Sequence, residues 1–285
     1  MNPQKPTILR LMAHSLIALM LFQALIFVIA SMVVVWLWSV KIKNAGIVDI
    51  AWAALFSIVA LLYAAVGDGY SLRKIAIAVM VCIWSLRLAS FLYRRVASHH
   101  PTEDARYAQL RQLWHPNSDI RFLYFFELQG IVLVLLTIPF ALICMNMKRE
   151  FSFIEVAAMS LWLLAVLGES LSDHQLSKFK KDPQNKGKTC NVGLWRYSRH
   201  PNYFCEWLIW LSYFVFALGS DWGWISIFCP LLMYHLLTKV TGIPMAEEQS
   251  LKSRGEEYRN YQQRTNAFFP WFPRIAKSTQ GSKDT

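Results

Sequence analysis

This sequence predicts an all-α, polytopic integral membrane protein with about seven transmembrane helices and a C-terminal interfacial helix, and three observations predict it. Hydrophobic residues fill 55% of the 285 positions and charged residues only 16%, against roughly a quarter charged in a soluble domain. The apolar residues fall in runs of about twenty, the length needed to cross a ~30 Å hydrocarbon core. The basic residues sit between those runs and crowd onto alternate connections, as the positive-inside rule requires.

The first run, His14 to Val40, exceeds a signal-peptide core and lacks a small-residue cleavage site, so it reads as a retained helix. A basic turn, Lys41 to Gly46, leads to a second span, Ile47 to Val66, with Asp49 near its start; Gly67-Asp68-Gly69 breaks the chain. The third span, about Ile75 to Tyr93, contains Arg87, and the polar loop after it is punctuated by Tyr107, Trp114 and Phe122, which marks it as ordered. The fourth, Phe122 to Met145, carries Glu127 and Gln129; Pro139 is its expected kink, and an ion pair between Arg87 and Glu127 is expected because buried charges pair. Phe153 to Leu176 is the fifth, ending on Glu169, Asp173 and His174; a basic loop, Ser177 to Tyr197, leads to the sixth, Asn202 to Leu218, and Trp222 to Val240 is the seventh. Beyond Thr241-Gly242-Ile243-Pro244 a charged segment punctuated by Leu251, Tyr258, Tyr261 and Phe268 reads as one or two interfacial helices, closed by the aromatic anchor Phe269-Pro270-Trp271-Phe272-Pro273. Residues 274–285 read as a disordered tail, and 1–285 as a single membrane domain.

On this layout 22 of the 29 Lys and Arg residues lie on the side shared by the first, third and fifth connections and the C-terminus. That side is expected to be cytoplasmic and the N-terminus outside. The net charge of +11 therefore faces anionic headgroups, and no nucleic-acid motif occurs. The five cysteines form no CxxC pair, and no two histidines have ligand spacing on a shared helix, so no metal site is expected. There is neither a GxGxxG after a strand nor a P-loop, so a nucleotide would have to be held by a membrane fold. No sustained small-x3-small face marks an oligomeric contact.

The stretch from Gly193 to Trp210, GLWRYSRHPNYFCEWLIW, sets two arginines, a histidine, an asparagine and a glutamate against the start of an apolar run. Arg196 and Arg199 taken alone are positive-inside anchors. Asn202 and Glu206, however, lie four apart on one helical face, and neither belongs against lipid. Arginines match phosphate, and amide and carboxylate groups match a base or ring amide, so the combination suits a nucleotide cofactor. Glu169 and Asp173, again four apart, are either a solvated helix end or acceptors for a cofactor's ribose or amide groups, with Lys180 on a phosphate. Asp49 and Tyr93 sit at span ends, as interfacial residues or as groups that reach a substrate headgroup.

GLWRYSRHPNYFCEW, preceded by Glu169-x3-Asp173 and followed by Gly242-Ile243-Pro244, Glu247-Glu248-x2-Leu251 and Tyr258-x2-Tyr261, resembles the steroid 5-alpha reductase superfamily, in particular its bacterial branch of unassigned specificity. Val48-Asp49-Ile50-Ala51-Trp52, Asp104-Ala105-Arg106-Tyr107 and Gln129 after a Phe-Phe pair resemble the same branch. The resemblance implies an NADPH-dependent reductase acting on CH–CH groups, like a 3-oxo-5-alpha-steroid 4-dehydrogenase, in a bacterial inner membrane. It would saturate a carbon–carbon double bond conjugated to a carbonyl in a lipid or steroid-like substrate. It makes residues 120–273 the cofactor-binding part. Glu169, Asp173, Asn202 and Glu206 would hold nicotinamide and ribose, and Lys180, Arg196, Arg199 and the C-terminal segment phosphates and adenosine. His200, Tyr203, Glu248, Tyr258 and Tyr261 complete the implied cofactor set. The acid pair on the substrate carbonyl would be Asp49 and Tyr93. Cys205 departs from the pattern, which places glycine there, and brings a larger side chain to the expected ring pocket. Isoprenylcysteine carboxyl methyltransferases share the RHPxY core and a tail like Glu247-Glu248 but bind S-adenosylmethionine, and a non-catalytic lipid-binding role is the third reading. Sterol C14-type reductases share Arg-His-x-Asn-Tyr and a following acid and bind NADPH; Asn202 with Glu206 and Asp173 is the reductase combination. Steroid, polyprenyl and unsaturated fatty-acyl ketone substrates all suit it.

Overall fold

A computed structural model of the chain describes residues 5–99 and 102–274. All the regular secondary structure among the described residues lies in helices, without strands. In order they are α1 (Lys5–Ile42), α2 (Ile47–Val66), α3 (Ser71–His99), α4 (Ala105–Leu113), α5 (Ser118–Leu136), α6 (Ile138–Cys144), α7 (Phe153–Lys181), α8 (Pro201–Ala217), α9 (Phe228–His235), α10 (Ile243–Arg254) and α11 (Glu256–Arg264). A short π-helical turn, Leu236–Val240, follows α9. Among the described residues six segments are long and apolar enough to cross a membrane: His14–Ile42, Ile47–Val66, Ser71–Ser98, Ser118–Cys144, Phe153–Lys181 and Gly223–Arg254. The expected sixth span is α8, whose 17 residues reach about 25 Å at 1.5 Å per residue, close to the shortest spanning length. Of the expected tail, all but Arg274 lies outside the described residues.

The chain divides into two compact units, Met1–Val156 with Phe214–Ser226, and Ala157–Tyr213 with Ile227–Thr285. In the first unit α2 packs along α3 and α1 along α5, with α6 against α1, α2 and α3. The α2 sequence makes this possible: it lacks Gly and Pro, and Val48, Phe56, Val59 and Tyr63 form one fully buried stripe while Ile58, Leu61 and Leu62 stay exposed on the other side. An exposed apolar face of this kind is what a lipid-facing helix presents. Polar groups inside the packing are satisfied locally: Ser85 Oγ donates to the Ala53 carbonyl at 2.5 Å and Ser57 Oγ to Ser85 Oγ at 2.7 Å.

The expected kink at Pro139 falls at a one-residue interruption, Thr137, within the span Ser118–Cys144. Thr137 ends α5, its hydroxyl donating to the Val134 carbonyl at 2.7 Å, and Pro139 stands at the start of α6, where its missing N–H costs nothing. The turn between α2 and α3 closes on the end of α6 through Gly69 N–H to the Cys144 carbonyl at 2.8 Å, an approach that leaves no room for a side chain at residue 69. At the start of α7, Ser152 and Glu155 form a capping box, the Ser152 amide donating to Glu155 at 2.7 Å. The same carboxylate pairs with Arg73, whose Nε also donates to the Lys148 carbonyl at 2.6 Å; both side chains are almost fully buried. The expected Arg87–Glu127 pair is not formed: both Glu127 carboxylate oxygens are buried without a hydrogen bond among the described residues.

The second unit holds α7 beyond its first turn, most of α8, α9 and the two C-terminal helices. Its aromatic core sits where α8 and α9 meet the C-terminal anchor. Phe204, Trp207, Tyr234, Phe268 and Phe269 meet mostly edge to face at centroid distances of 5.1–6.2 Å, the favourable arrangement for ring quadrupoles. Phe268 is buried, and Phe269, Trp271 and Phe272 are exposed.

Candidate functional site: the α7–α8 helix pair and its C-terminal clamp

Two helices of the second unit position a polar cluster in an otherwise apolar environment. Glu169 and Asp173 lie one turn apart near the C-terminal end of α7, and Asn202 and Glu206 one turn apart at the start of α8. Pro201 opens α8 at a position where proline is pre-shaped for a helix. Glu169 and Glu206 are buried, at 5% and 7% exposure. Asn202 Nδ2 stands 3.5 Å from Asp173 Oδ1, and Glu206 Oε1 accepts from the indole of Trp210 at 2.9 Å. Asn202 Oδ1 is buried with no hydrogen-bond partner among the described residues. Leaving such a carbonyl unsatisfied costs about 1–3 kcal/mol, and an acceptor kept at that cost is a place for a donor from a ligand.

The departure at Cys205 has a local answer. A Cβ added at Gly168 of α7 would lie 2.8 Å from Cys205 Sγ, so the sulfur on α8 occupies the room that the glycine on α7 leaves open. The thiol therefore packs between the helices beside the polar cluster.

The loop entering α8 is tied down on two sides. On the α7 side, the Leu194 amide donates to Gln175 Oε1 and the Trp195 indole to the Ser172 carbonyl, both at 2.9 Å. On the C-terminal side, the Tyr261 hydroxyl donates to the Trp195 carbonyl and, at 3.3 Å, to that of Ser198, while Ser198 Oγ donates to the Phe268 carbonyl at 2.9 Å. Arg199 is engaged within the protein: Nε donates to Glu247 at 2.6 Å, and Nη1 to the carbonyls of Gln262 at 3.0 Å and Thr265 at 2.6 Å. Glu247 also accepts from Gln262 at 2.8 Å and lies 3.3 Å from His200 Nε2. His200 stacks on Tyr203 with centroids 5.3 Å apart and planes within 4°. Burial lowers the His200 pKa from the usual imidazole range, with the Glu247 carboxylate pulling the other way. Tyr258 is buried beneath the Arg254 guanidinium, and burial, reinforced by the Glu247 charge, raises its pKa to about 12.

The structure thus brings Glu169, Asp173, Asn202 and Glu206 into one group and Arg199, His200, Tyr258 and Tyr261 into a clamp around Glu247. Glu248 stands outside both, exposed and paired with Lys252 at 2.6 Å. The interior acid of the Glu247-Glu248 doublet is Glu247, a distinction that adjacent identical residues do not reveal in sequence. Lys180 is exposed near the end of α7. Arg196 lines a cavity of about 520 Å³ with Arg264, Glu257, Asn191 and Asn260, and none of Glu169, Asp173, Asn202 or Glu206 lines it.

Asp49 and Tyr93 belong to the first unit and have different surroundings. Asp49 accepts from the Tyr107 hydroxyl at 2.6 Å and from Arg106 at 3.0 Å, while Tyr93 is exposed at 62% on α3. Arg106 also meets Asp104, the N-cap of α4, at 3.0 Å. Burial of Asp104 is outweighed by the hydrogen bonds and charge of Arg106, and its pKa falls below the usual carboxylate range. Burial, together with Asp49, raises that of Tyr107 well above the phenol range. The tyrosine on Asp49 is therefore Tyr107, from the loop segment rather than the neighbouring span.

The chain belongs to the family described as proteins of unknown function, DUF1295, whose family model matches residues 35–265. It is also similar to an uncharacterized protein of Schizosaccharomyces pombe, 28% identical over 270 residues that cover 83% of this chain and 76% of the relative. No solved structure matches it.

Proposed function

We propose that this membrane protein is an NADPH-dependent reductase that saturates a carbon–carbon double bond conjugated to a carbonyl in a lipid or steroid-like substrate. The observation that carries the reading is the unsatisfied, buried Oδ1 of Asn202 on a helix pair that also carries Asp173 and the buried carboxylates Glu169 and Glu206. A carboxamide offers both a donor for Asn202 Oδ1 and an acceptor for Asn202 Nδ2, and ribose hydroxyls are donors for carboxylates. These residues fit the nicotinamide half of the cofactor, which supplies a hydride when bound.

What the chain's own groups do follows from their settings. Asn202 orients an amide-bearing ring, with Asp173 setting the amide's rotamer. Glu169 and Glu206 accept hydrogen bonds and disfavour a second anion nearby, which keeps phosphates away from the ring end. Arg199, His200 and Glu247 act as positioning residues that lock the entrance of α8, so that Asn202 is presented in one orientation. The assignment of a reductase, its substrate class and a cytoplasmic mouth for this site are parts of the same proposal.

Binding by detergent-purified protein tests it. NADPH is expected to bind, and Glu206→Gln to weaken that binding far more than Glu256→Gln at an exposed position of α11. Tight binding of S-adenosylmethionine with none of NADPH would replace this reading with a methyltransferase, and equal effects of the two substitutions would show that Glu206 is an anchor.

A further inference from the structure

We propose that the cavity between the turn at Gly193–Arg196 and α11 seats the phosphodiester headgroup of an anionic phospholipid. This goes beyond the cofactor reading and involves none of the α7–α8 acids. The cavity, about 520 Å³, carries the guanidinium groups of Arg196 and Arg264, and neither side chain has an ion pair or hydrogen bond among the described residues. Arginine matches phosphate oxygens in a planar, two-point geometry, so two unpaired guanidiniums on one cavity wall are a site for a phosphate ester.

The charge balance narrows the ester. Glu257 shares the cavity, its carboxylate accepting from the Thr189 amide at 2.9 Å and from the Thr189 hydroxyl. Two guanidiniums against one carboxylate leave a single excess positive charge, which suits a phosphodiester monoanion. A phosphomonoester carries close to two charges near neutral pH and would be under-compensated here. The side-chain amides of Asn191 and Asn260 line the same space without hydrogen bonds among the described residues, ready for the hydroxyls of a polyol headgroup.

The position points to a lipid source. Pro273 lines the cavity, and the two residues before it, Trp271 and Phe272, are 69% and 74% exposed. They are held there: the Trp271 amide donates to the Tyr197 carbonyl at 2.9 Å, the Arg274 amide to the Arg264 carbonyl at 2.8 Å, and the Phe272 ring meets Tyr197 edge-on at 6.0 Å. Large aromatic rings fixed in an exposed position belong at a membrane–water boundary. A cationic cavity whose rim continues into them lies at headgroup depth, with room for acyl chains along the rings.

The test uses the full chain purified in detergent and equilibrated with mixed phosphatidylglycerol and phosphatidylcholine, the phosphatidylglycerol retained per chain being measured by mass spectrometry. Wild type is expected to retain phosphatidylglycerol selectively. The double variant Arg196→Gln, Arg264→Gln should retain at least tenfold less, and Arg259→Gln, a charge change on α11 outside the cavity, should retain as much as wild type. If the double variant does not fold, Asn260→Trp decides, since it fills the cavity with both arginines in place and should give the same loss. Wild-type retention by either folded variant, an equal loss in Arg259→Gln, or no selectivity in the wild type overturns the proposal. So does displacement of the lipid by micromolar 2′,5′-ADP, which would assign the phosphate to a soluble nucleotide.

Discussion

The α4 cluster of the first unit and the α7–α8 pair of the second both gather charge beside apolar helices, but they treat it in opposite ways. Around α4, Arg106 is matched by Asp49 and Asp104, Arg111 by Glu103 and Asp119, and Tyr107 donates to Asp49. Arg106 and Arg111 each have two carboxylates, at 2.9–3.1 Å, which is the arrangement of a structural staple. Between α7 and α8 there are three acids and an amide oxygen with no hydrogen-bond partner among the described residues. A cluster that completes itself holds a fold together. One left incomplete at a cost is held by the fold for something else.

Substitutions can break or sharpen that contrast. The largest effect is expected from Arg73→Met or Glu155→Gln in the first unit, where removing one partner of a buried pair leaves the other uncompensated, at about 3–5 kcal/mol, measured by denaturation in detergent. Tyr107→Phe removes one hydrogen bond to a carboxylate and should cost about 1.5–3 kcal/mol in the same measurement, with no change in ligand affinity specific to the second unit. Asn202→Leu is the converse: unfolding should move by less than about 0.5 kcal/mol, since the substitution also removes an unsatisfied carbonyl, while NADPH affinity falls more than about tenfold, or 1.4 kcal/mol. If Asn202→Leu destabilises as much as the Arg73 change, the contrast is lost.

Smaller effects follow for the clamp. Because the His200 pKa is lowered in the folded protein, folding favours the neutral ring. The stability this gives is present above the unfolded imidazole pKa of about 6.5 and is lost as pH falls through the lowered folded value. The unfolding midpoint should therefore drop between pH 7 and 5, and less steeply in His200→Gln. Glu248→Gln should change stability by less than about 0.5 kcal/mol, as expected of an exposed pair; a larger loss would mean that Glu247 is not the sole anchor of the doublet.

The helices were legible because their signal is local. Long apolar runs with charged ends, the glycine break at 67–69 and the basic connections mark α1 to α3, the kinked span of α5 and α6, and α7 to α9 directly, whereas α4, short and polar, reads only as an ordered loop. Partnerships across the chain were not legible. Asp49 has a tyrosine within reach of any sequence argument at Tyr93, yet pairs with Tyr107, because the α4 segment folds back on the start of α2. Arg199 carries the residue type of a phosphate ligand, but three acceptors, from α10, from α11 and from the residue after it, occupy it. Residue type states what a side chain is able to bind, and only the tertiary fold decides whether the protein itself has already taken that capacity. Arg196, three residues earlier in the same motif, keeps its capacity open.

Gly168 and Cys205 carry a last consequence. The contact of α7 with α8 at Gly168 and Cys205 admits one small side chain, and this chain carries it on α8 as a thiol and omits it on α7. The two positions behave as a single site spelled across two helices. A relative with glycine opposite in place of Cys205 is free to carry a methyl group where this chain has Gly168, and the spacing between its helices would be unchanged.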